Sequence, residues 1–254
     1  MSFAELHHAD LPLLLPNAWD VPSALAFLDA GFEAIGTSSL GVASSLGRPD
    51  GDRATRDANL RLARQLSVLG CYVTLDIEDG YSEDADEVAA YVADLPVDGI
   101  NLEDSIEGRL VPPEVLAAKI SAVKGRRPEL FVNARIDTYW FRELATVEET
   151  LHRAEQYVAA GADGVFVPGA SEPDLLRQLT SRIPVPLNVL ASPGTSLLDL
   201  AALGVRRVST GSLPYRAAIQ AATDVATGVR DTGTLPSSVG YDVLQARLVD
   251  YSRR

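Results

Sequence analysis

The chain has 254 residues and a formal net charge of −13, with 46% hydrophobic and 22% charged residues. This length suits one α/β barrel, and this hydrophobic content supplies a large core. The acidic balance excludes a nucleic-acid-binding protein, which would need a basic face. No apolar run reaches the roughly 18 residues that span a membrane. We interpret the acidity mainly as a solvated surface, with a cation site accounting for part of it.

The N-terminus and the cysteine content predict a cellular location. Residues 1–10 are polar and lack the basic flank and apolar core of a signal peptide. Cys71 is the single cysteine, so no intrachain disulfide can form. We therefore expect a cytoplasmic protein that does not associate with membranes.

Short apolar runs alternate along the chain with longer amphipathic stretches, and this alternation predicts strands that alternate with helices. A Gly/Ser-rich loop is predicted over residues 38–52, between strand two and helix two. The predicted strands are residues 13–15, 34–37, 72–77, 99–102, 130–134, 164–167, 187–189 and 207–210. The predicted helices are residues 21–30, 53–69, 85–95, 112–123, 147–160, 173–182, 197–203 and 215–229.

Eight strand–helix units predict a closed (β/α)8 TIM barrel that forms a single domain over residues 1–254. The alternative is an open doubly wound sheet, which we disfavour because no Gly-rich turn follows strand one. Residues 232–254 form a C-terminal extension with a further amphipathic helix over 241–251. This helix has no place in the ring of eight, so it either caps the barrel or packs on a neighbouring subunit.

Acidic residues follow three neighbouring strands, at the barrel end where active sites lie. Asp76 and Glu78 follow strand three, and Glu103 follows strand four. Alternate strand residues share a face, so Asp76 and Glu78 are expected to face inward together. Clustered carboxylates repel one another unless a cation joins them, and Mg2+ is the simplest such ion, with Mn2+ as a substitute. The alternative interpretation is a set of helix caps and surface charges.

Arg135 follows strand five and has the planar, two-pronged guanidinium that binds a carboxylate through two oxygens. The alternative is a structural ion pair with Glu103 or Asp137. Other chemistries have no suitable residue at this end of the barrel. Both lysines lie on helix four, the histidines lie before strand one or on helix five, and Cys71 precedes strand three. These positions exclude an imine mechanism, a histidine base and a cysteine nucleophile.

Three loops supply hydroxyl and backbone N–H groups at the same end. The first is residues 38–41, which are suited to a carboxylate or an enolate oxygen. Residues 192–194 and 210–212 follow strands seven and eight, where phosphate-binding barrels hold phosphate. A phosphate-binding site is therefore an open alternative.

The motifs, in their order and spacing, resemble the isocitrate lyase/phosphoenolpyruvate mutase superfamily over nearly the whole chain. The matching segments are residues 16–20 (PNAWD), 31–35 (GFEAI), 37–41 (TSSLG), 75–81 (LDIEDGY), 99–104 (GINLED), 133–135 (NAR) and 161–164 (GADG). The resemblance implies a Mg2+-dependent barrel enzyme that acts on a small carboxylic acid through an enolate-like intermediate. It also implies homodimers or homotetramers that exchange a C-terminal helix between subunits.

The resemblance further implies roles for individual residues. It places the metal at Asp76, Glu78 and Glu103, mostly through water. The implied catalytic residues are Arg135, Glu103 and Asp50, and the implied substrate-binding residues are Ser38, Ser39, Leu40, Tyr81 and Asn188.

Three departures from the family pattern narrow the expected activity. Glu78 replaces the second Asp of the usual motif, and Pro168 stands where the mutase branch has a histidine. Residues 105–111 form a short loop that lacks the cysteine of the lyase branch. We therefore expect a C–C lyase or decarboxylase that acts on a 2-oxo or 2-hydroxy acid. The alternatives are a C–P mutase or hydrolase and a non-catalytic barrel that binds 2-oxo acids.

Overall fold

A ring of parallel strands surrounds the core in the computed structural model, which describes residues 2–254. Neighbours in the ring follow the order β1-β11-β10-β9-β8-β5-β4-β3-β2. The strands are β1 (Leu13–Leu15), β2 (Asn17–Ala18), β3 (Ala34–Thr37), β4 (Tyr72–Asp76), β5 (Gly99–Glu103), β6 (Ser105–Ile106), β7 (Arg109–Leu110), β8 (Phe131–Arg135), β9 (Gly164–Phe166), β10 (Leu187–Leu190) and β11 (Arg207–Ser209). The pair β6–β7 is a separate antiparallel hairpin.

The first strand closes the ring from both sides. β1 and β2 are two parts of one strand that Pro16 interrupts, since proline has no N–H to donate to a neighbouring strand. Leu13 pairs with Arg207 on one side, and Asn17 pairs with Gly36 on the other. The carbonyl oxygen of Pro16 still accepts a hydrogen bond of 2.8 Å from the N–H of Gly36. The predicted TIM barrel is therefore confirmed.

Helices follow the strands around the outside of the barrel. They are α1 (Val21–Asp29), α2 (Ser39–Ser45), α3 (Arg56–Leu66), α4 (Ala85–Ala93), α5 (Pro113–Arg126), α6 (Thr138–Phe141), α7 (Val147–Ala159), α8 (Pro173–Thr180), α9 (Leu197–Ala202), α10 (Leu213–Asp231) and α11 (Tyr241–Tyr251). Their apolar faces pack on the strands in one large cluster of buried hydrophobic side chains. No helix within residues 2–254 has the length and apolar character needed to cross a membrane.

Two segments near the strand ends differ from the prediction. Part of the predicted 38–52 loop is the helix α2, which Ser38 begins by accepting a hydrogen bond from the Gly41 N–H at 3.3 Å. Serine is a poor helix former inside a helix but a good N-cap, which is why the composition indicated a loop. The loop after β5 contains the hairpin β6–β7, with Glu107 and Gly108 in left-handed conformations at its tip.

The N-terminal end of the barrel is closed by the first residues of the chain. A 3-10 helix, Glu5–His8, places Phe3 and His7 against Phe131 on β8. The His7 ring stacks on Phe131 with 4.3 Å between ring centroids and 9° between planes. The imidazole Nδ1 lies 3.0 Å from the Phe3 carbonyl oxygen. We call this aromatic cluster the floor of the barrel.

The two C-terminal helices pack differently from those of the ring. α11 lies against the body of the same chain, where Arg247 forms an ion pair with Asp29 and the Tyr251 hydroxyl donates to the Gln65 carbonyl at 3.1 Å. No residue of α10 or α11 is buried. The predicted extra helix is present, and its exchange between subunits stays a prediction.

Candidate active site

Three charged side chains meet at the C-terminal rim of the barrel because their strands end side by side. Asp76 is the last residue of β4, Glu103 ends β5 and Arg135 ends β8. The strand register pairs Asp76 with Asn101 and Glu103 with Arg135. Three of the four side chains that the sequence predicted as metal and clamp residues, all except Glu78, therefore lie together.

Arg135 lies at the centre of this group. Its Nη1 is 2.7 Å from Glu103 Oε2 and 4.0 Å from Asp76 Oδ2, and its Nε donates to Asp137 Oδ1 at 2.7 Å. These contacts use Nε and Nη1, and within residues 2–254 the third nitrogen, Nη2, has no hydrogen-bond partner. Burial lowers the pKa of the guanidinium, but Asp137, Glu103 and Asp76 outweigh it and raise the pKa overall. Arg135 therefore forms the structural ion pairs with Glu103 and Asp137, and its role as a substrate clamp stays a prediction.

Burial makes the ionised state of the rim carboxylates unfavourable. Burial raises the pKa of Asp76 to about 6, opposed by Arg135 and reinforced by the negative charge of Asp50. Burial also raises the pKa of Glu103 well above its usual range, and Asp137 and Asp76 add to this shift. Strongly shifted groups in a cleft are a common sign of a functional site.

Glu78 lines the rim cavity and also forms hydrogen bonds to the loop beside it, while its predicted role at the metal stays a prediction. β4 ends at Asp76, so the strand alternation does not extend to Glu78, which adopts a left-handed conformation at φ 53°. Its two carboxylate oxygens accept hydrogen bonds from the Thr55 hydroxyl at 2.5 Å and from the Arg53 N–H at 2.9 Å. Glu78 thus fixes the 50–55 loop at the rim.

Asp79 anchors the same loop through two cations. It pairs with Arg53 at 2.6 Å and with the buried Lys119 at 3.1 Å. Lys119 was predicted on a helix away from the rim, and its helix position is confirmed. The sequence did not reveal that its long side chain reaches through the helix layer to Asp79.

Tyr81 and Asn188 do not line the cavity at the rim. The Tyr81 hydroxyl lies among buried polar groups, 2.9 Å from Thr55 Oγ1 and 2.5 Å from Asn59 Nδ2, which donates to it. Asn188 lies inside the barrel, and its side-chain amide donates to Ser209 Oγ at 3.1 Å. Their assignment to the substrate finds no support in this geometry.

The predicted substrate loop supplies two backbone N–H groups. The first hydrogen bond of the α2 turn runs from Val42 N to the Ser38 carbonyl. The N–H groups of Ser39 and Leu40 precede it, so they remain available at the helix N-terminus, which favours an anion. Ser39 also lines the rim cavity, as does Asp50 from the following loop.

A cavity of about 330 Å3 opens at the rim above these groups. One side is charged and the other is apolar, and the hairpin β6–β7 contributes to the wall. The lining residues are Ser39, Asp50, Gly51, Arg53, Glu78, Asp79, Glu103, Ser105, Ile106, Glu107, Gly108, Arg135, Trp140 and Phe141. Of these, Arg53, Trp140 and Phe141 were missed in the sequence analysis. The two aromatic residues lie on a helix of only four residues, which is too short to show a period.

The rim fits a magnesium ion that keeps most of its water. Within residues 2–254, no three His, Cys, Asp or Glu side chains converge as a protein cage for a metal. Asp76 accepts a 3.2 Å hydrogen bond from the Glu78 N–H through Oδ1, while Oδ2 is 4.0 Å from Arg135. Asp76 is buried and does not itself line the rim cavity, and Oδ2 is its carboxylate oxygen that accepts no hydrogen bond within residues 2–254. Mg2+ characteristically binds one or two carboxylates and retains several waters.

Comparisons with a family model and with known proteins agree on one family for this chain. A family model described as phosphoenolpyruvate phosphomutase matches residues 3–230. An uncharacterised protein of Mycobacterium tuberculosis is 59% identical over the whole chain and 98% of its own length. An oxaloacetate decarboxylase of Pseudomonas entomophila is 32% identical over 82% of this chain and 76% of its own. The 2-methylisocitrate lyase of Bacillus subtilis is also 32% identical, over 73% of this chain and 64% of its own.

Solved structures show the same relationship. A candidate phosphonomutase of Burkholderia cenocepacia is 36% identical with a TM-score of 0.84, covering 89% of this chain and 97% of its own. A phosphonopyruvate hydrolase in complex with oxalate and Mg2+ is 25% identical with a TM-score of 0.83, covering 100% of this chain and 99% of its own. Relatives with this fold therefore include enzymes that break C–C bonds and enzymes that break C–P bonds.

Proposed function

Because the chain belongs to the isocitrate lyase/phosphoenolpyruvate mutase superfamily, we propose that it is a Mg2+-dependent lyase that decarboxylates an oxaloacetate-like 2-oxo acid. The observation that carries this proposal is the chemistry of the rim cavity. Every ionisable side chain on its wall is a carboxylate or a guanidinium. Such a wall binds and orients an anionic substrate and supports charge separation, and it leaves protonation of the product carbon to water.

Arg135 is the proposed clamp for the substrate's C1 carboxylate. Glu103 and Asp137 hold Nη1 and Nε at 2.7 Å each, which fixes the plane of the guanidinium at the wall of the cavity. The N–H groups of Ser39 and Leu40, at the start of α2, are the proposed second donor group for anionic oxygen.

The proposed reaction breaks the bond between C3 and C4 of the substrate. C4 leaves as carbon dioxide, the electron pair of the broken bond moves onto the 2-oxo oxygen, and C3 then takes a proton from water. A bound magnesium ion supplies Lewis-acid polarisation of the 2-oxo acid and offsets the charge of the rim carboxylates. Asp76 is the residue that would hold it, and Glu103 and Glu78 are the further acidic residues proposed for the site.

The short hairpin β6–β7 supports decarboxylation over the other lyase reactions. Its residues on the cavity wall are Ser105, Ile106, Glu107 and Gly108. Cleavage that releases a larger acid needs a protein acid on the covering loop, whereas decarboxylation needs only exclusion of bulk water and access for a proton. Cys71, the one thiol, lies at the start of β4 at the opposite end of the barrel, where burial raises its pKa to about 11.

The test is turnover of a panel of 2-oxo acids with Mg2+ by the wild type, with oxaloacetate and phosphonopyruvate both included. We expect carbon dioxide release from oxaloacetate that chelation abolishes and added Mg2+ restores. Glu103→Gln should remove this activity, while Glu83→Gln, an exposed acid on the loop after β4, should retain it. Phosphate release from phosphonopyruvate without decarboxylation would identify a C–P enzyme, and full decarboxylation in chelator would refute the metal requirement.

We further propose a cytoplasmic homodimer or homotetramer that assembles through α10. This helix has no buried residue, and Ile219, Val225 and Val229 are exposed at 54%, 37% and 57%. Such a row of apolar side chains on one helix is typical of an interface. Light scattering should give a multiple of the 27.1 kDa chain mass, and Ile219→Asp should lower it. A wild-type monomer at micromolar concentration would contradict this proposal.

A further inference from the structure

One side of the rim cavity is apolar, and the proposed reaction does not use it. Trp140 and Phe141 on α6 are exposed at 51% and 37%, and Ile106 of the hairpin is half-buried beside the same space. We call these three residues the apolar wall. Large aromatic side chains that line a cavity and remain exposed indicate a surface that an apolar ligand group covers.

The apolar wall begins directly beside the proposed clamp. The Trp140 ring centroid is 5.9 Å from Cζ of Arg135, and the Phe166 ring lies at the same distance. A substrate whose carboxylate meets Arg135 would therefore have the Trp140 ring close to it. The wall continues to the hairpin, because a Cβ built on Gly108 would lie 3.7 Å from the Phe141 ring.

The wall is preformed, because α6 is fixed from below. Thr138 is fully buried, and its hydroxyl lies 2.8 Å from that of Thr150 on α7. Gly169, at φ 86°, packs so closely that a Cβ there would lie 2.9 Å from the Tyr139 carbonyl oxygen. The aromatic side chains of α6 therefore do not need a ligand in order to reach the cavity.

The size and charge of the cavity limit which substituents a bound substrate can carry. Its volume of about 330 Å3 lies at the lower end of the roughly 300–1,000 Å3 of sites that take drug-sized ligands. This is more room than a four-carbon acid requires. The apolar wall offers no cation, Arg53 of the same cavity is already paired with Asp79, and Glu107 at the hairpin tip would repel a further carboxylate.

We propose, on the basis of the proposed function, that the substrate carries an apolar alkyl or aryl substituent on C3 that packs against Ile106, Trp140 and Phe141. These residues act on specificity, since they contact the substituent and none of the atoms that react. A difference of one methylene in such a pocket changes kcat/KM by about 10-fold or more.

The experiment compares kcat/KM for oxaloacetate, 3-methyloxaloacetate and 3-benzyloxaloacetate with Mg2+. We expect the wild type to prefer the benzyl compound over oxaloacetate by at least ~10-fold. Phe141→Ala and Trp140→Ala should each reduce this ratio to near one. Leu144→Ala is the matched control, because Leu144 is 57% exposed on the same segment and outside the cavity, and it should keep the wild-type ratio.

A wild-type enzyme that decarboxylates oxaloacetate at least as well as its substituted forms would overturn the proposal and leave the proposed function standing. Retention of the preference in both aromatic variants would also overturn it. Calorimetric binding of oxamate and N-benzyloxamate with Mg2+ tests the apolar wall in the remaining case, in which no turnover is observed. If none of the three acids is turned over, the reaction is misassigned, and tighter binding of N-benzyloxamate by at least ~10-fold still supports the apolar wall, whereas equal binding overturns it.

Discussion

The rim and the floor of the barrel bury polar groups in opposite ways. At the rim, Asp76 and Glu103 lie close together as like charges, and burial raises the pKa of both. At the floor, His7 stacks on Phe131, and burial lowers the pKa of the imidazole to about 3, so the ring stays neutral. At the floor the positive charge of the buried Arg207 also helps to keep the imidazole neutral, whereas the rim brings carboxylates together.

This difference distinguishes residues that serve stability from residues that serve function. A buried neutral imidazole with an aromatic neighbour stabilises the closed end of the barrel. Buried like charges destabilise the fold by themselves, and at the rim a single guanidinium, that of Arg135, faces the three carboxylates of Asp76, Glu103 and Asp137. Substitutions at the two ends should therefore affect different measurements.

The largest effect is expected from Asp76→Ala. Loss of the carboxylate removes the group proposed to hold the cation, so turnover should fall at least ~100-fold, or about 2.7 kcal/mol. The melting temperature without metal should not fall, because a buried carboxylate with a raised pKa is lost. Turnover and thermal melting of the same preparation provide the measurement. An active Asp76→Ala variant would show that the metal site lies elsewhere.

Arg135→Lys should have the next largest effect on turnover. The lysine keeps the charge but cannot contact Glu103, Asp137 and a substrate carboxylate together. Loss of a charged hydrogen bond corresponds to about 1.5–3 kcal/mol of transition-state stabilisation. The melting temperature should also fall, since one buried carboxylate loses its partner. A decline in turnover that matches the folded fraction alone would restrict Arg135 to a structural role.

The floor should respond to pH through His7. Its folded pKa lies below that of the unfolded chain, so the stability it contributes is present above about pH 6.5 and is lost as the pH falls towards 3. Between pH 7 and pH 5 the loss should reach about 2 kcal/mol. Denaturant unfolding at both pH values should show a smaller loss in His7→Phe. The exposed His8→Gln variant is the control, and an unchanged pH dependence in His7→Phe would contradict the assignment.

The smallest effect is expected from Cys71→Ser. This thiol lies at the N-terminal end of β4, far from the rim cavity, and its raised pKa keeps it protonated. Turnover should change by less than about tenfold, or about 1.4 kcal/mol. A larger loss in a folded variant would place catalytic chemistry at the floor and remove the contrast between the two ends.

The sequence predicted the barrel and the rim group because both follow from local patterns. Eight apolar runs and the residues at their ends, such as Glu103 and Arg135, are read directly along the chain. The missed features depend on contacts between distant segments. Lys119 reaches Asp79 across 40 residues, and Glu78 turns towards Thr55 because its backbone is left-handed. The hydrophobic periodicity of a sequence indicates neither how far a long side chain reaches nor which single residue adopts a left-handed backbone conformation.

The sequence also did not predict the direction in which side chains point from turns. Tyr81 belongs to a motif at the rim, but at φ 66° its hydroxyl enters the buried Thr55–Asn59 group. The aromatic residues of α6 gave the converse case, since a four-residue helix after β8 has no recognisable period. Its exposed rings were visible only once the cavity was formed.

The most direct test of the rim as a metal-dependent 2-oxo acid site is calorimetric binding of oxalate, a planar mimic of the pyruvate enolate. Oxalate should bind the wild type in the presence of Mg2+, and it should not bind in chelator or to Asp76→Ala with Mg2+. Equal oxalate binding with and without the metal, or by Asp76→Ala, would contradict the central claim that Asp76 holds a cation on which the substrate depends.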